Sequence, residues 1–138
     1  MKITFKKSDY DLIVQHSREA LPNEACGLLG GVLEQDGTHA VRRVYTLTNT
    51  DASPYHFSMS PSEQFAAVKN IRENGWKLIG NFHSHPETPA RPSDEDKRLA
   101  FDASLSYLIL SLSTENPVLK AFRIENGNAS ETEILILN

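Results

Sequence analysis

The sequence has 138 residues, 39% of them hydrophobic, with a formal net charge of -4 and a pI near 5.7. That length suits one domain, spanning residues 1–138, with a core that needs no disulfide, and the lone Cys26 excludes an internal one. Basic residues are scattered in short doublets such as Arg42-Arg43 and Lys97-Arg98, which excludes a phosphate-tracking surface and with it nucleic acid as the main partner.

No apolar run approaches the ~20 residues of a membrane span, and the opening MKITFKKSDY carries no signal-peptide core. Together with the single cysteine this points to a reducing, cytoplasmic setting.

In chain order, Lys2 to Lys6 alternates like a strand. Ser8 can cap a helix running to about Ala20, with Tyr10, Ile13, Val14 and Ser17 on one face. Pro22 and Asn23 break the chain. Cys26 to Glu34 reads as a buried strand, Gln35-Asp36-Gly37 as a turn, and Val41 to Leu47 as the returning strand of a hairpin. Asn49 to Pro54 is a loop of turn formers. Ser60-Pro61-Ser62-Glu63 opens a second helix with Phe65, Val68 and Ile71 inward, closing at Asn74-Gly75. Lys77 to His85 is the next strand, and the three prolines between Pro86 and Pro92 impose an irregular loop. Ser93 starts a third helix reaching about Asp102. Tyr107 to Ser113, Val118 to Ile124 and Thr132 to Leu137 are strands. This order predicts an α/β (α+β) fold, a mixed central β-sheet with helices packed against it.

The stretch FHSHPETPARPSDED, Phe82 to Asp96, concentrates two histidines and four side-chain acids near one strand end. Side chains on a strand alternate faces, so Asn81, His83 and His85 share one face while Leu78, Gly80, Phe82 and Ser84 share the core face. Two imidazoles so spaced can reach one ion, and a catalytic zinc commonly takes two histidines, one acid and an open position. Of Glu87, Asp94, Glu95 and Asp96, the last is the best third ligand. With Ser93 as N-cap, Asp96 falls at N3, and its side chain projects back toward the helix start and the end of the histidine strand. Ser93 and Asp96 also satisfy the pattern of a simple capping pair. The combination with His83-Ser84-His85 across a returning loop is what favours a metal. A metal hydrolase further needs a base outside the ligand set. Glu24, at the edge of EACGLLGG, is such an acid, although spacing alone does not single it out.

These residues resemble the JAMM, or MPN+, metalloprotease family in Glu24 of PNEACGLLGG, His83-Ser84-His85-Pro86 and Ser93-Asp94-Glu95-Asp96, with ten residues between His85 and Asp96. The resemblance spans Glu24 to Asp96 and implies an MPN-type fold of cytidine-deaminase-like architecture. It implies that His83, His85 and Asp96 bind Zn2+, that Glu24 holds and deprotonates the attacking water, and that Ser93 hydrogen-bonds the developing oxyanion. It implies an isopeptidase or peptidase of the compact prokaryotic type. Its substrate would be the C-terminal Gly-Gly tail of a ubiquitin-like or sulfur-carrier β-grasp protein.

Two rivals remain: a noncatalytic MPN scaffold or binding module, and a structural zinc domain, which would gain if Cys26 supplied a fourth ligand. Other residues read as structural: Cys26 as a small buried strand residue, Ser84 as inward-facing, Trp76 as an amphipathic cover, His56 as a loop histidine, and His16 and His39 as solvated. Asn81 shares the histidine face and ranks low as a supporting residue.

Overall fold

The computed structural model describes residues 2–138. Its elements are β1 (Lys2–Lys6), α1 (Lys7–Ala20), β2 (Cys26–Leu33), β3 (His39–Leu47), α2 (Pro61–Glu73), β4 (Lys77–His85), α3 (Asp94–Arg98), β5 (Ser106–Ser111), β6 (Val118–Glu125) and β7 (Asn128–Leu137). The expected mixed sheet with helices packed against it is present. The strands run β1-β3-β2-β4-β5-β6-β7, and a parallel β1–β7 pairing, Lys2 opposite Glu133 through Lys6 opposite Leu137, closes them into a barrel. The β1–β3 and β4–β5 pairs are also parallel; the others are antiparallel.

The apolar pattern explains the layers. On β5, Leu108 and Leu110 join an inner cluster with Phe5, Leu29 and Phe82, while Tyr107 and Ile109 face an outer one with Ala90, Phe122 and Ile124. A strand buried on both faces must be apolar throughout, which accounts for the run YLIL. Helix α1 drives Ile13 and Val14 into the inner cluster, and Tyr10 packs beside them. Helix α2 covers Cys26, Leu28 and Leu47 through Ala67 and the half-buried Val68. Gly27 lies opposite Phe82, and a Cβ there would overlap that ring and the Tyr45 carbonyl.

Several expectations are corrected. Ser8 lies inside the first turn of α1; the cap position is Lys6, whose N–H donates to Asp9 Oδ2 at 3.4 Å, because β1 runs into the helix without a loop. Phe65 is 73% exposed, since the buried stripe of α2 runs through Ala67 and Ile71, four residues apart, and Phe65 falls off it. Helix α3 stops at Arg98 instead of Asp102. Leu99 and Phe101 are exposed, so no apolar face rewards continuation, and the Asp102 carboxylate accepts from Ser104 N at 2.9 Å in a turn of its own. The fifth strand ends at Ser111, not Ser113. On β4 a register shift against β2 at Leu29/Gly30 puts Ile79, not Leu78, into the inner cluster with Phe82, while Leu78 packs outward.

His16 and His39 are not solvated. His16 Nε2 stands 3.2 Å from the Cys26 carbonyl and 3.1 Å from that of Leu47, tying α1 to β2 and β3. His39 is 3% exposed; its Nδ1 is 2.7 Å from Ser106 Oγ and its Nε2 3.0 Å from the Arg123 guanidinium. Arginine can only donate. Nε2 of His39 is therefore the acceptor and Nδ1 carries the hydrogen given to Ser106. Among the described residues no helix is long and apolar enough to cross a membrane.

Candidate metal centre

The end of β4 carries His83 and His85 outward on one face, and Ser84 between them inward, because the strand alternates. The loop after Pro86 is held in two places. Ser111 Oγ donates to the Thr88 carbonyl at 2.6 Å, and His85 Nδ1 donates to the Pro89 carbonyl at 2.9 Å. The second bond orients the His85 ring so that Nε2 faces Asp96, and in the neutral ring Nε2 is the lone-pair donor. The chain then returns through Ser93, whose Oγ accepts from Asp96 N at 3.0 Å while its own N–H donates to Asp96 Oδ2 at 2.9 Å. This reciprocal cap aims the Asp96 carboxylate back at β4.

Three atoms converge as a result. His83 Nε2, His85 Nε2 and Asp96 Oδ2 each lie 3.1 Å from the other two. The side chains are 5%, 5% and 14% exposed. Atoms bound to a tetrahedral zinc at about 2.0–2.1 Å lie about 3.3 Å apart, so the triangle has the size and donor chemistry to hold such an ion on one side. Burial alone would raise the Asp96 acid, but hydrogen bonds from both rings and from the Ser93 amide hold it well below the usual carboxylate range. Burial works against protonation of His85, and the Asp96 and Pro89 hydrogen bonds outweigh it to raise the imidazole. Two rings and an ionised carboxylate at such range form a site that favours a cation.

Glu24 precedes β2 and is 4% exposed. Ala25 after it is stitched to the ligand strand: its N–H donates to Ser84 Oγ at 2.7 Å, and Ser84 N–H donates to its carbonyl at 3.0 Å. The Glu24 N–H donates to the Ser53 carbonyl at 2.8 Å, and Asn49 Nδ2 donates to the Glu24 carbonyl at 3.0 Å. Burial pushes the Glu24 acid up to about 8; the charge of His85 opposes this and those of Asp96 and Glu95 add to it. Oε1 of Glu24 is buried with no hydrogen-bond partner among the described residues. The carboxyl therefore stands within electrostatic reach of the ligand triangle with one oxygen unengaged.

Phe57, which no motif in the sequence singles out, stacks its ring on His83 at 4.8 Å between centroids. A cavity beside the triangle is lined by Phe57, Asn81, His83, Leu99, Tyr107 and Ile109. Asn81 thus sits at the site, and His56 reaches the same cavity from its loop while pairing with Asp51 at 3.0 Å. The string PYHFSM offered an aromatic next to a histidine but no spacing that tied it to the site. Cys26 is buried, with Sγ turned to the Leu47 carbonyl at 3.9 Å, and burial pushes its thiol up to about 12.

Residues 6–125 match the family of prokaryotic homologs of the JAB domain. The chain belongs to that family. A CysO-cysteine peptidase of Mycobacterium tuberculosis is 29% identical over 128 residues, 91% of this chain and 84% of the relative. A desampylase of Pyrococcus furiosus is 31% identical over 142 aligned residues, covering 94% of this chain and 96% of its own. A protein from Desulfitobacterium hafniense with a known solution structure is 56% identical and superposes with a TM-score of 0.89, over 99% of this chain and 93% of that one.

Proposed function

We propose that the protein is a zinc-dependent metallopeptidase that cleaves a peptide or isopeptide bond at the C-terminal glycine tail of a ubiquitin-like or sulfur-carrier β-grasp protein. The observation that carries this reading is the 3.1 Å triangle of His83, His85 and Asp96, with the unpartnered Glu24 carboxyl oxygen nearby. The relatives named for CysO-cysteine and for desampylation support the substrate class.

His83, His85 and Asp96 would hold the ion. Zinc bound there would supply Lewis acidity toward a carbonyl and make a water acidic enough to lose its proton near neutral pH. Glu24 takes the proton from the attacking water as its oxygen bonds to the scissile carbonyl carbon. The same carboxyl then gives that proton to the departing amine nitrogen as the C–N bond breaks. A nearby cation draws the raised Glu24 acid back toward neutrality, where a base that must also act as an acid works best. Ser93 Oγ accepts from the Asp96 amide, and its O–H is directed to the oxyanion forming on the carbonyl. The cavity beside the triangle takes the extended tail, and glycines there allow the backbone to come close. Cys26 faces Leu47 and adds no sulfur, which supports a three-ligand catalytic site over a four-ligand structural one.

The test is cleavage of a carrier fusion ending in Gly-Gly by the zinc-loaded protein and by Glu24→Gln. The expected result is turnover by the native chain, a loss of at least 100-fold in the variant and equal zinc content in both. A zinc-loaded native protein that is inert on such fusions, or a Glu24→Gln variant that turns over normally, would sink the reading.

A further inference from the structure

Among the described residues no hydrogen bond aims the Glu24 carboxyl through Oε1. Its direction is therefore set by its backbone and its packing. Half of the backbone clamp comes from Ser84 through Ala25. The other half comes from the loop between β3 and α2, and there one side chain does most of the ordering. Asn49 Nδ2 donates to the Glu24 carbonyl at 3.0 Å and to the His56 carbonyl at 3.1 Å. Its Oδ1 accepts from Asp51 N at 3.0 Å and from Ser58 N at 3.1 Å. An asparagine amide offers two donors and two acceptor sites, so Asn49 is fully engaged. Its backbone also bridges to Met59 across the loop mouth.

We infer that Asn49 is the positioning residue of the general base, tying the Glu24 carbonyl to the loop that stacks Phe57 on His83. The inference rests on the proposed role of Glu24. The loop supplies both of its fixed points to Glu24, the Ser53 carbonyl and the Asn49 amide, and carries Phe57 onto a ligand ring. Losing Asn49 frees the base and the ring-stacking aromatic together. A displacement near 1 Å of a catalytic group can cost about 100-fold in rate, so the effect falls on the chemical step.

The experiment compares Asn49→Ala, Asn49→Asp and Thr50→Val in the full chain. Asp at position 49 keeps the acceptors for the Asp51 and Ser58 amides but has no donor for the Glu24 carbonyl. Thr50→Val removes a different loop bond, Thr50 Oγ1 to the Ser58 carbonyl at 3.1 Å, and leaves Glu24 clamped. Expected are kcat values at least tenfold down in both Asn49 variants, KM within twofold, unchanged zinc content, and Thr50→Val within twofold of native. The Glu24 amide should exchange with solvent at least tenfold faster in Asn49→Asp. Asn49 variants that lower the thermal midpoint but keep the kcat of the folded protein overturn the inference. So does a Thr50→Val loss as large as that of Asn49→Asp. If the native protein cuts no fusion, the functional reading fails separately. The Glu24 amide then decides: faster exchange in Asn49→Asp sustains the clamp, and unchanged protection overturns it.

Discussion

Ser84 sits between His83 and His85, and its hydroxyl points the opposite way, to the Ala25 amide. Ser84→Ala leaves that buried N–H without its partner, a change that costs about 1–3 kcal/mol. Urea unfolding of the variant should show a loss of that size, with the ligand triangle still able to bind zinc. His39 makes a second prediction. Burial, helped by the Arg123 charge, lowers its imidazole from 6.5 to about 4. The unfolded chain therefore takes up a proton near pH 6.5 that the folded protein refuses until about pH 4. His39 is neutral in both states above pH 6.5, and stability is lost as pH falls below it, by up to roughly 3 kcal/mol at about pH 4. Comparing urea unfolding of the native chain and His39→Gln at pH 7 and pH 5 isolates the effect: the native protein should lose more on acidification. At this scale the sequence displayed the three residues of the triangle because their spacing is local. It hid His39 and Asn49, whose partners Arg123 and Glu24 lie 84 and 25 residues away.

The element that matters most is the unit of β4, its proline loop and α3. Periodicity marked β4 with its observed bounds, Lys77–His85, since one face is apolar and the other carries the histidines. The start of α3 was legible from Ser93. Its end was not, because the acidic and basic run DEDKR continues into Leu99 and Phe101, whose apolar side chains invite a longer helix but stay exposed. Ser93 has two separable tasks in this unit, the cap of α3 and the proposed oxyanion donor. Ser93→Ala should cost about 1 kcal/mol of stability and about 100- to 1,000-fold in kcat. Ser93→Asp restores a cap acceptor but offers no hydroxyl. Its thermal midpoint should return toward native while its kcat stays low. Recovery of kcat together with the midpoint would show that the hydroxyl acts only as a cap.

Across the whole molecule, the order of elements could be read from alternating and helical periods, but the closure of the sheet could not. The β1–β7 pairing joins Lys2 to Glu133, and no local pattern encodes a partner so distant. The three apolar clusters draw on the barrel strands and on α1 and α2, and include none of the ligand triangle. Chelation should accordingly abolish cleavage while far-ultraviolet circular dichroism stays native-like. Added zinc should raise the thermal midpoint by mass action, about 2.7 kcal/mol at 100 times its dissociation constant. Affinity should weaken as pH falls, because His85, with its raised imidazole, must shed its proton to bind. The most direct examination of the centre is zinc titration combined with X-ray absorption on the native chain and Asp96→Ala. One zinc per chain in a shell of nitrogen and oxygen, with affinity lost at least 100-fold in the variant, is expected. A sulfur neighbour near 2.3 Å, or native affinity in Asp96→Ala, would contradict the assignment.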